Sequence, residues 1–306
     1  METFASTIPC FGGEISPDGR KVFISAPAKI NLFLKVLRKR PDGYHDIFSW
    51  FQAVDLADHL EIEAIEGDHV EIVTGTADIP TGPENLIYQA AELIRDSMNS
   101  PPGFRIRIWK HIPVAAGLGG GSSDAAACIK GANKLLGLGW DRAKMERIGL
   151  EIGSDVPFFF GRGQAEVTGR GEKVRDREFP LDYRVVLVTP PVAIRAAEAY
   201  GKIRLALTKP FADISLKRWK EAREFFCAIS GLENDLERNL CSSYPVLEKI
   251  RVRLEGSGAD IVRLSGSGPT LFALIGHKDI TEEKICAACE GEGWDCRACD
   301  PVTLPA

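Results

Sequence analysis

No stretch of the 306 residues approaches the ~20 consecutive apolar residues of a membrane-spanning helix. Blocks of basic charge are missing too. Lys and Arg number 38 against 43 Asp and Glu, a net charge of −5, so the electrostatic footprint of a protein that grips nucleic acid is absent. Residues 1–20 lack the basic-then-apolar order of a secretory signal, and the expected location is the cytoplasm. Cysteine is sparse, with 8 in the chain, too few for a disulfide scaffold. Internal repeats and low-complexity tracts are lacking. With 44% hydrophobic and 26% charged residues, the composition is that of an ordinary globular protein and excludes wholesale disorder. The length suggests about two domains.

The patterning predicts many strands in the first half. Val22–Ser25 reads as a strand, Ala26-Pro27-Ala28 as a break, and Ile30–Val36 as an alternating second strand. Further strands are expected at 47–54, 59–65, 70–73 and 104–109, and a helix at 85–98. Helices are expected at 125–136 and 141–152, a hairpin around Gly169-Arg170-Gly171, and a buried strand at 185–188. Residues 193–250 read as largely helical, followed by strands at 261–264 and 271–275 and a helix at 280–291. Strands and helices do not alternate cleanly, which favours α+β over a doubly wound parallel sheet. The expected division is residues 1–178 and 179–306, with the seam between Val174 and Tyr183, where charge and Pro180 accumulate.

The strongest local feature is Pro113-Val114-Ala115-Ala116-Gly117-Leu118-Gly119-Gly120-Gly121-Ser122-Ser123. Glycines let backbone N–H groups face a ligand with no Cβ in the way. The helix that follows adds unpaired N–H groups and a positive dipole end, and together these suit a phosphate. The loop does not end in Gly-Lys-Ser/Thr, so it is not a Walker A loop. The competing reading is a tight loop whose Ser122 or Ser123 caps the helix.

Other polar residues also have two readings. Lys29 is either solvated at a strand mouth or, with Asn31 two residues on, part of a polar face. Asp155, within Gly153-Ser154-Asp155-Val156-Pro157, is either a turn residue or a general base beside the apolar run Phe158-Phe159-Phe160. Asp42-Gly43-Tyr44-His45 is either a plain turn or a ring platform with an imidazole for a flat polar ligand. Ser265-Gly266-Ser267-Gly268-Pro269-Thr270 alone is an ordinary connection between strands. Cys286, Cys289, Cys296 and Cys299 form two C-x-x-C pairs with six residues between them. They suggest either a zinc site or inert thiols, and residues three apart in a strand point to opposite faces, which opposes shared ligation.

Taken in order, Ala26-Pro27-Ala28-Lys29-Ile30-Asn31-Leu32, the 117–123 glycine loop, Gly153–Pro157 and Ser265–Thr270 resemble the motifs of GHMP kinases. Pro41-Asp42-Gly43-Tyr44-His45, the extra glycine of the loop and Asn234-Asp235-Leu236-Glu237 resemble the branch acting on a cytidyl-linked methylerythritol. The resemblance runs from about Lys21 to about Gly293. It implies a two-lobed α+β fold with ATP, Mg2+ and a small-molecule alcohol substrate meeting in the cleft between lobes. It implies that Asp155 is the base that takes the hydroxyl proton and that Lys29 is its partner. It implies that Pro113 to Ser123 hold the ATP phosphates, with Ser122 or Ser123 offering a hydroxyl to the metal. Tyr44 is implied to stack on cytosine, with His45 at the base edge, Asn31 near the polar tail and Tyr200 as a second ring. No protein metal ligand set, nucleic-acid partner or membrane partner is implied. Asp124 follows the loop directly, and it is expected to turn away from bound phosphate. Homoserine, mevalonate or a sugar as substrate, and a non-catalytic nucleotide- or zinc-binding regulator, stand as the alternatives.

Overall fold

A computed structural model describes residues 11–201, 203, 219, 221–276 and 280–305. Among these, two sheets form. The first holds β1 (Glu14–Ile15), β2 (Lys21–Lys39), β3 (His45–Ile65), β4 (Val70–Thr74), β5 (Gly103–Trp109), β6 (Gln164–Gly169) and β7 (Lys173–Asp176). Its order is β1-β2-β3-β5-β4, with β6 on β3 and β7 on β6. One half of β3, from Ile47 to Gln52, pairs with β6, and the other half, from His59 to Ile65, pairs with β5.

Helices α1 (Leu86–Asp96), α2 (Gly120–Leu135) and α3 (Arg142–Ile152) close one face of this sheet, joined by a 3-10 turn at Val156–Phe160. Two of them start on side-chain caps: Asn85 accepts from Ile87 N–H and Asp141 from Lys144 N–H. Small residues let α2 sit close to the strands. A Cβ on Gly131 would fall 2.6 Å from Ile62 Cδ1.

The second sheet, antiparallel throughout, runs β11-β8-β10-β9, formed by β8 (Arg184–Thr189), β9 (Ile261–Leu264), β10 (Leu271–Ile275) and β11 (Asp295–Cys299). Around it lie α4 (Ala196–Gly201), α5 (Ala222–Ile229), α6 (Glu237–Ser243), α7 (Pro245–Gly256) and α8 (Glu282–Ala288). Both faces of this sheet are covered, which explains the unbroken apolar runs in β8 and β10. Val185, Leu187, Phe272 and Leu274 pack with Leu32, Phe33 and Trp50 of the first sheet, while Val186, Val188, Leu271 and Ala273 pack with Leu240, Ile250 and Leu254.

The structure departs from the sequence reading in three places. Ala26-Pro27-Ala28 does not end a strand; β2 runs through it with a register shift. Pro27 has no N–H to donate, and it sits at an irregularity where Asp55 and Leu56 of β3 are left unpaired across the ladder. The expected strands at 47–54 and 59–65 are likewise one strand. Helix α2 starts at Gly120 rather than Ala125, so the end of the glycine loop is already helical. The reading of 193–250 as largely helical falls partly, at 202, 204–218 and 220, outside the described residues.

Candidate active site

Lys29 and Asp155 are far apart in sequence and meet in space. Lys29 lies on β2, buried, with its Nζ 3.4 Å from Asp155 Oδ2. Asp155 sits in the turn between α3 and the 3-10 turn; its side chain makes no capping bond, and it is about a third exposed. It is therefore free to face a ligand, backed by the buried Val156–Phe160 run. Lys29 is aimed by its surroundings. Its Nζ donates to Asn31 Oδ1 at 2.7 Å and lies 4.5 Å over the Phe51 ring. Asn31 Nδ2 in turn donates to Ser49 Oγ at 3.0 Å, and Ser49 donates to the Phe33 carbonyl. Asn31 thus orients the lysine as well as lining the cleft.

That cleft has a volume of about 870 Å³. Its wall carries Lys29, Asn31, Tyr44, His45, Asp155 and Tyr200, together with Gly117, Gly119, Ser122, Gly266 and Ser267. The glycine loop also walls a second recess of about 330 Å³, lined by residues 113–122 with Ile79, Leu86, Ile108 and Lys110. Gly117, Gly119 and Ser122 face both spaces. Two glycines of the loop are sterically required. Gly117 has φ +78°, and a Cβ there would fall 2.3 Å from the Ser265 carbonyl oxygen. Gly119 has φ +71°, and a Cβ there would sit 3.0 Å from Lys29 Cγ.

Gly119 also caps α2, and the first helical hydrogen bond is donated by Ser123 N–H to its carbonyl. The N–H groups of Gly120, Gly121 and Ser122 precede that bond and present the helix's positive end to the loop. Neither serine caps the helix. Ser122 is half-buried and faces the cleft, whereas Ser123 is buried and lines a different, small void beside Lys130 and Phe159.

The ring residues line the same cleft. His45 and Tyr200 stack with centroids 5.4 Å apart and planes 19° apart. Tyr44 is 55% exposed, and the Arg170 guanidinium lies 5.1 Å over its ring. Burial, reinforced by the positive charge of Lys39, lowers the pKa of His45, so its imidazole is neutral at pH 7. Burial and the neighbouring Asp155 carboxylate push the Tyr200 phenol up.

Several residues here carried no signal in the sequence. Arg170 belongs to a hairpin tip that reads only as a turn, yet it faces the cleft. Lys110 ion-pairs with both Asp58 and Asp124, at 2.8 Å from Asp124. Asp58 also accepts the N–H groups of His111 at 2.6 Å and Ile112 at 2.9 Å, pinning the start of the glycine loop to β3. Burial alone would depress the Lys110 ammonium, but the two carboxylates outweigh it and raise its pKa. Asp124 is buried and paired with this lysine, yet it also lines the recess of residues 113–122, so it does not turn away from that space as expected; burial with the Asp58 charge pushes its own pKa well up. The Ser265–Thr270 loop is likewise more than a connection: Ser265 Oγ donates to the Gly117 carbonyl at 3.1 Å.

The tail cysteines do not assemble as four. Cys296 packs toward the helical face of β11 beside Cys286 and Cys289, while Cys299 faces the core between the sheets. The alternation of β11 separates them.

The model for the GHMP kinases N terminal domain matches residues 85–163. The chain is 41% identical over 258 residues to the 4-diphosphocytidyl-2-C-methyl-D-erythritol kinases of Bacillus cytotoxicus and Bacillus anthracis, a match covering 84% of this chain and 89% of each relative. A crystal structure of 4-(cytidine 5'-diphospho)-2C-methyl-D-erythritol kinase superposes with a TM-score of 0.74 at 30% identity, covering 92% of this chain and 99% of that one. A homoserine kinase from Cytophaga hutchinsonii superposes with a TM-score of 0.73 at 16% identity, covering 95% and 98% of the two chains, a likeness of fold alone.

Proposed function

Because the chain belongs to the 4-diphosphocytidyl-2-C-methyl-D-erythritol kinases of the GHMP family, we propose that it transfers the γ-phosphate of ATP to the 2-hydroxyl of that cytidyl-linked substrate, with Lys29 and Asp155 at the reacting end of the cleft. It acts in the non-mevalonate route to isoprenoid precursors. Residues 1–178 and 179–306 are taken as its two lobes. The observation that carries the reading is the glycine loop acting as a common wall. On one side of it lies the recess of residues 113–122, and on the other lies the Lys29–Asp155 pair.

Phosphoryl transfer needs positioning and charge stabilisation more than covalent help from the protein. The N–H groups of Gly120, Gly121 and Ser122 offer donors to phosphate oxygens. Asp155 is the acceptor for the proton of a tertiary hydroxyl, and Lys29 favours the developing alkoxide. Asn31 holds Lys29 in line for both tasks.

Mg2+ fits the donors present. The Ser122 hydroxyl is a hard oxygen on the face shared by both recesses, and Mg2+ characteristically takes most of its remaining ligands from phosphate and water. When bound, the ion neutralises polyphosphate charge. Ser122 is assigned as its protein ligand. Arg170 and Lys39 face the cleft near Tyr44 and His45 and suit a diphosphate.

Substrate choice rests on the rings. Homoserine and mevalonate kinases share the fold, but those acceptors have no flat base to engage Tyr44, His45 and Tyr200. A neutral imidazole offers one donor and one acceptor, which complements the amide-like edge of cytosine. Among the described residues no helix is long and apolar enough to cross a membrane, and the working location is taken to be the cytoplasm.

The test is a transfer assay with ATP and Mg2+ on the cytidyl substrate, free methylerythritol phosphate, mevalonate and homoserine. Turnover confined to the cytidyl compound is expected. Turnover of another alcohol instead would keep the loop and discard the base pocket.

A further inference from the structure

The second lobe carries a cluster of thiols that phosphoryl transfer does not use. Cys286 lies on α8, Cys289 caps its end, and Cys296 is on the neighbouring β11. Cys296 Sγ donates to Cys286 Sγ at 3.0 Å, and it also hydrogen-bonds Cys289. A disulfide between the nearer two sulfurs requires them to approach by about 1 Å. Cys289 is buried, while Cys286 and Cys296 are half-buried and within reach of small solutes. None of the three lines the cleft. The loop joining α8 to β11 is held in place from α7: Lys249 and Arg253 both pair with Glu292, at 2.6 and 3.0 Å, and Arg253 also donates to the Ala288 carbonyl. The sulfurs therefore face each other across a braced turn and are not brought together by a freely moving one.

We propose that Cys286, Cys289 and Cys296 form an oxidisable site in which a peroxide links Cys286 to Cys296 as a reversible disulfide. The Cys286 thiolate attacks the peroxide oxygen; an S–O bond forms, the O–O bond breaks, and the leaving hydroxide takes a proton to become water. The Cys296 sulfur then attacks Cys286; the S–S bond forms, the S–O bond breaks, and the leaving hydroxyl becomes a second water with the Cys296 proton, relayed through Cys289. Two thiols lose two electrons and one peroxide is reduced. Cys289 is the neighbouring group able to accept the Cys296 proton. The hydrogen bond from Cys296 holds its thiol below the ordinary value against burial, with help from Arg253.

The experiment uses the full chain, purified reduced, treated with hydrogen peroxide, alkylated and mapped by mass spectrometry. Trypsin alone leaves all three cysteines in one peptide, 285–297. Cleavage before Asp295 added to trypsin separates Cys296 from Cys286 and Cys289, and from Cys299. The expected product joins the Ile285–Trp294 peptide to Asp295–Arg297, with fragmentation placing the bond on Cys286, and dithiothreitol removes it. Cys296→Ser abolishes this product, whereas Cys227→Ser on the exposed face of α5 leaves it unchanged. The wild-type map needs no variant, so a folding defect in Cys296→Ser does not spoil the test. A Cys286–Cys289 bond, a link to Cys299, or sulfonic acid at Cys286 without any cross-link would overturn the proposal.

Discussion

At the scale of single residues, the site depends on pairs. Asp155 has one cation at 3.4 Å and no capping duty, so its replacement tests chemistry more than folding. Asp155→Asn is expected to lower kcat by about 10²–10⁴-fold, the range for losing a positioned general base. ATP affinity, followed by calorimetry, should stay within about threefold, the spread of an indirect change. A near-normal kcat would remove the base assignment. Tyr44→Ala should weaken the cytidyl substrate by about 1–3 kcal/mol, the value of one base–aromatic stack; the check is a KM series with ATP saturating, and an unmoved KM relocates the stack. His45 supplies a pH signature. Its pKa is held below the ordinary value by burial and Lys39, so it becomes charged only on the acid side of about 6.5. The imidazolium has two donors and no acceptor. KM for the cytidyl substrate should therefore rise as pH falls into the acid range below the ordinary imidazole value, and His45→Gln should flatten that limb.

At the scale of elements, the glycine loop is shaped by contact with another loop. Gly117 needs both a left-handed φ and the absence of a Cβ, because the obstruction is the Ser265 backbone and cannot swing aside. Gly117→Ala is expected to cost about 1–3 kcal/mol in strain and to raise the KM for ATP as the loops separate. Gly139→Ala is the control: its φ is +65° but nothing lies within 4 Å of the added carbon. It should cost about 1 kcal/mol or less. Equal losses for the two variants in urea melts would show that loop contact contributes nothing. The loop's position between a strand and a helix was legible from its glycines and serines. That α2 starts inside it was not, because the four glycines read as coil, while the helix is nucleated by Gly119 and supported by packing of Ala125, Ala126 and Ile129 on the sheet.

At the scale of the molecule, residues 234–237 join the two sheets. Asn234 donates to the carbonyls of Leu264 and Gly266 at 2.9 and 2.7 Å, which holds the Ser265–Thr270 loop in the cleft wall. Asp235 pairs with buried Lys35 at 2.8 Å and accepts the Val36 N–H at 2.8 Å, tying β2 to the second lobe. Glu237 accepts from Leu264 N–H. Removing one partner of a buried pair leaves the other charge stranded, so Asp235→Ala should cost about 3–5 kcal/mol, measured by urea denaturation. A loss under about 1 kcal/mol would mean that the joint is held by packing alone. The chain's end adds a second tie: Asp300 and Val302 hydrogen-bond to Asp55 and Ala53 of β3, and Leu304 is buried in the first core.

The sequence by itself determined the α+β class, most strands and helices, the glycine loop and the motif order that resembles GHMP kinases. These follow from local periodicity and from residue types with narrow uses. It also separated Cys299 from Cys296, since a strand alternates its faces. The tertiary structure alone decided the rest. The bulge that carries β2 past Pro27 depends on β3 and on Asp55, which bonds the chain's end. The aim of Lys29 depends on Asn31 and Ser49, on different strands. Arg170, Lys110 and the Cys286–Cys296 contact arise where distant segments meet. Periodicity reports which face a residue takes, whereas partners across the fold are set by packing.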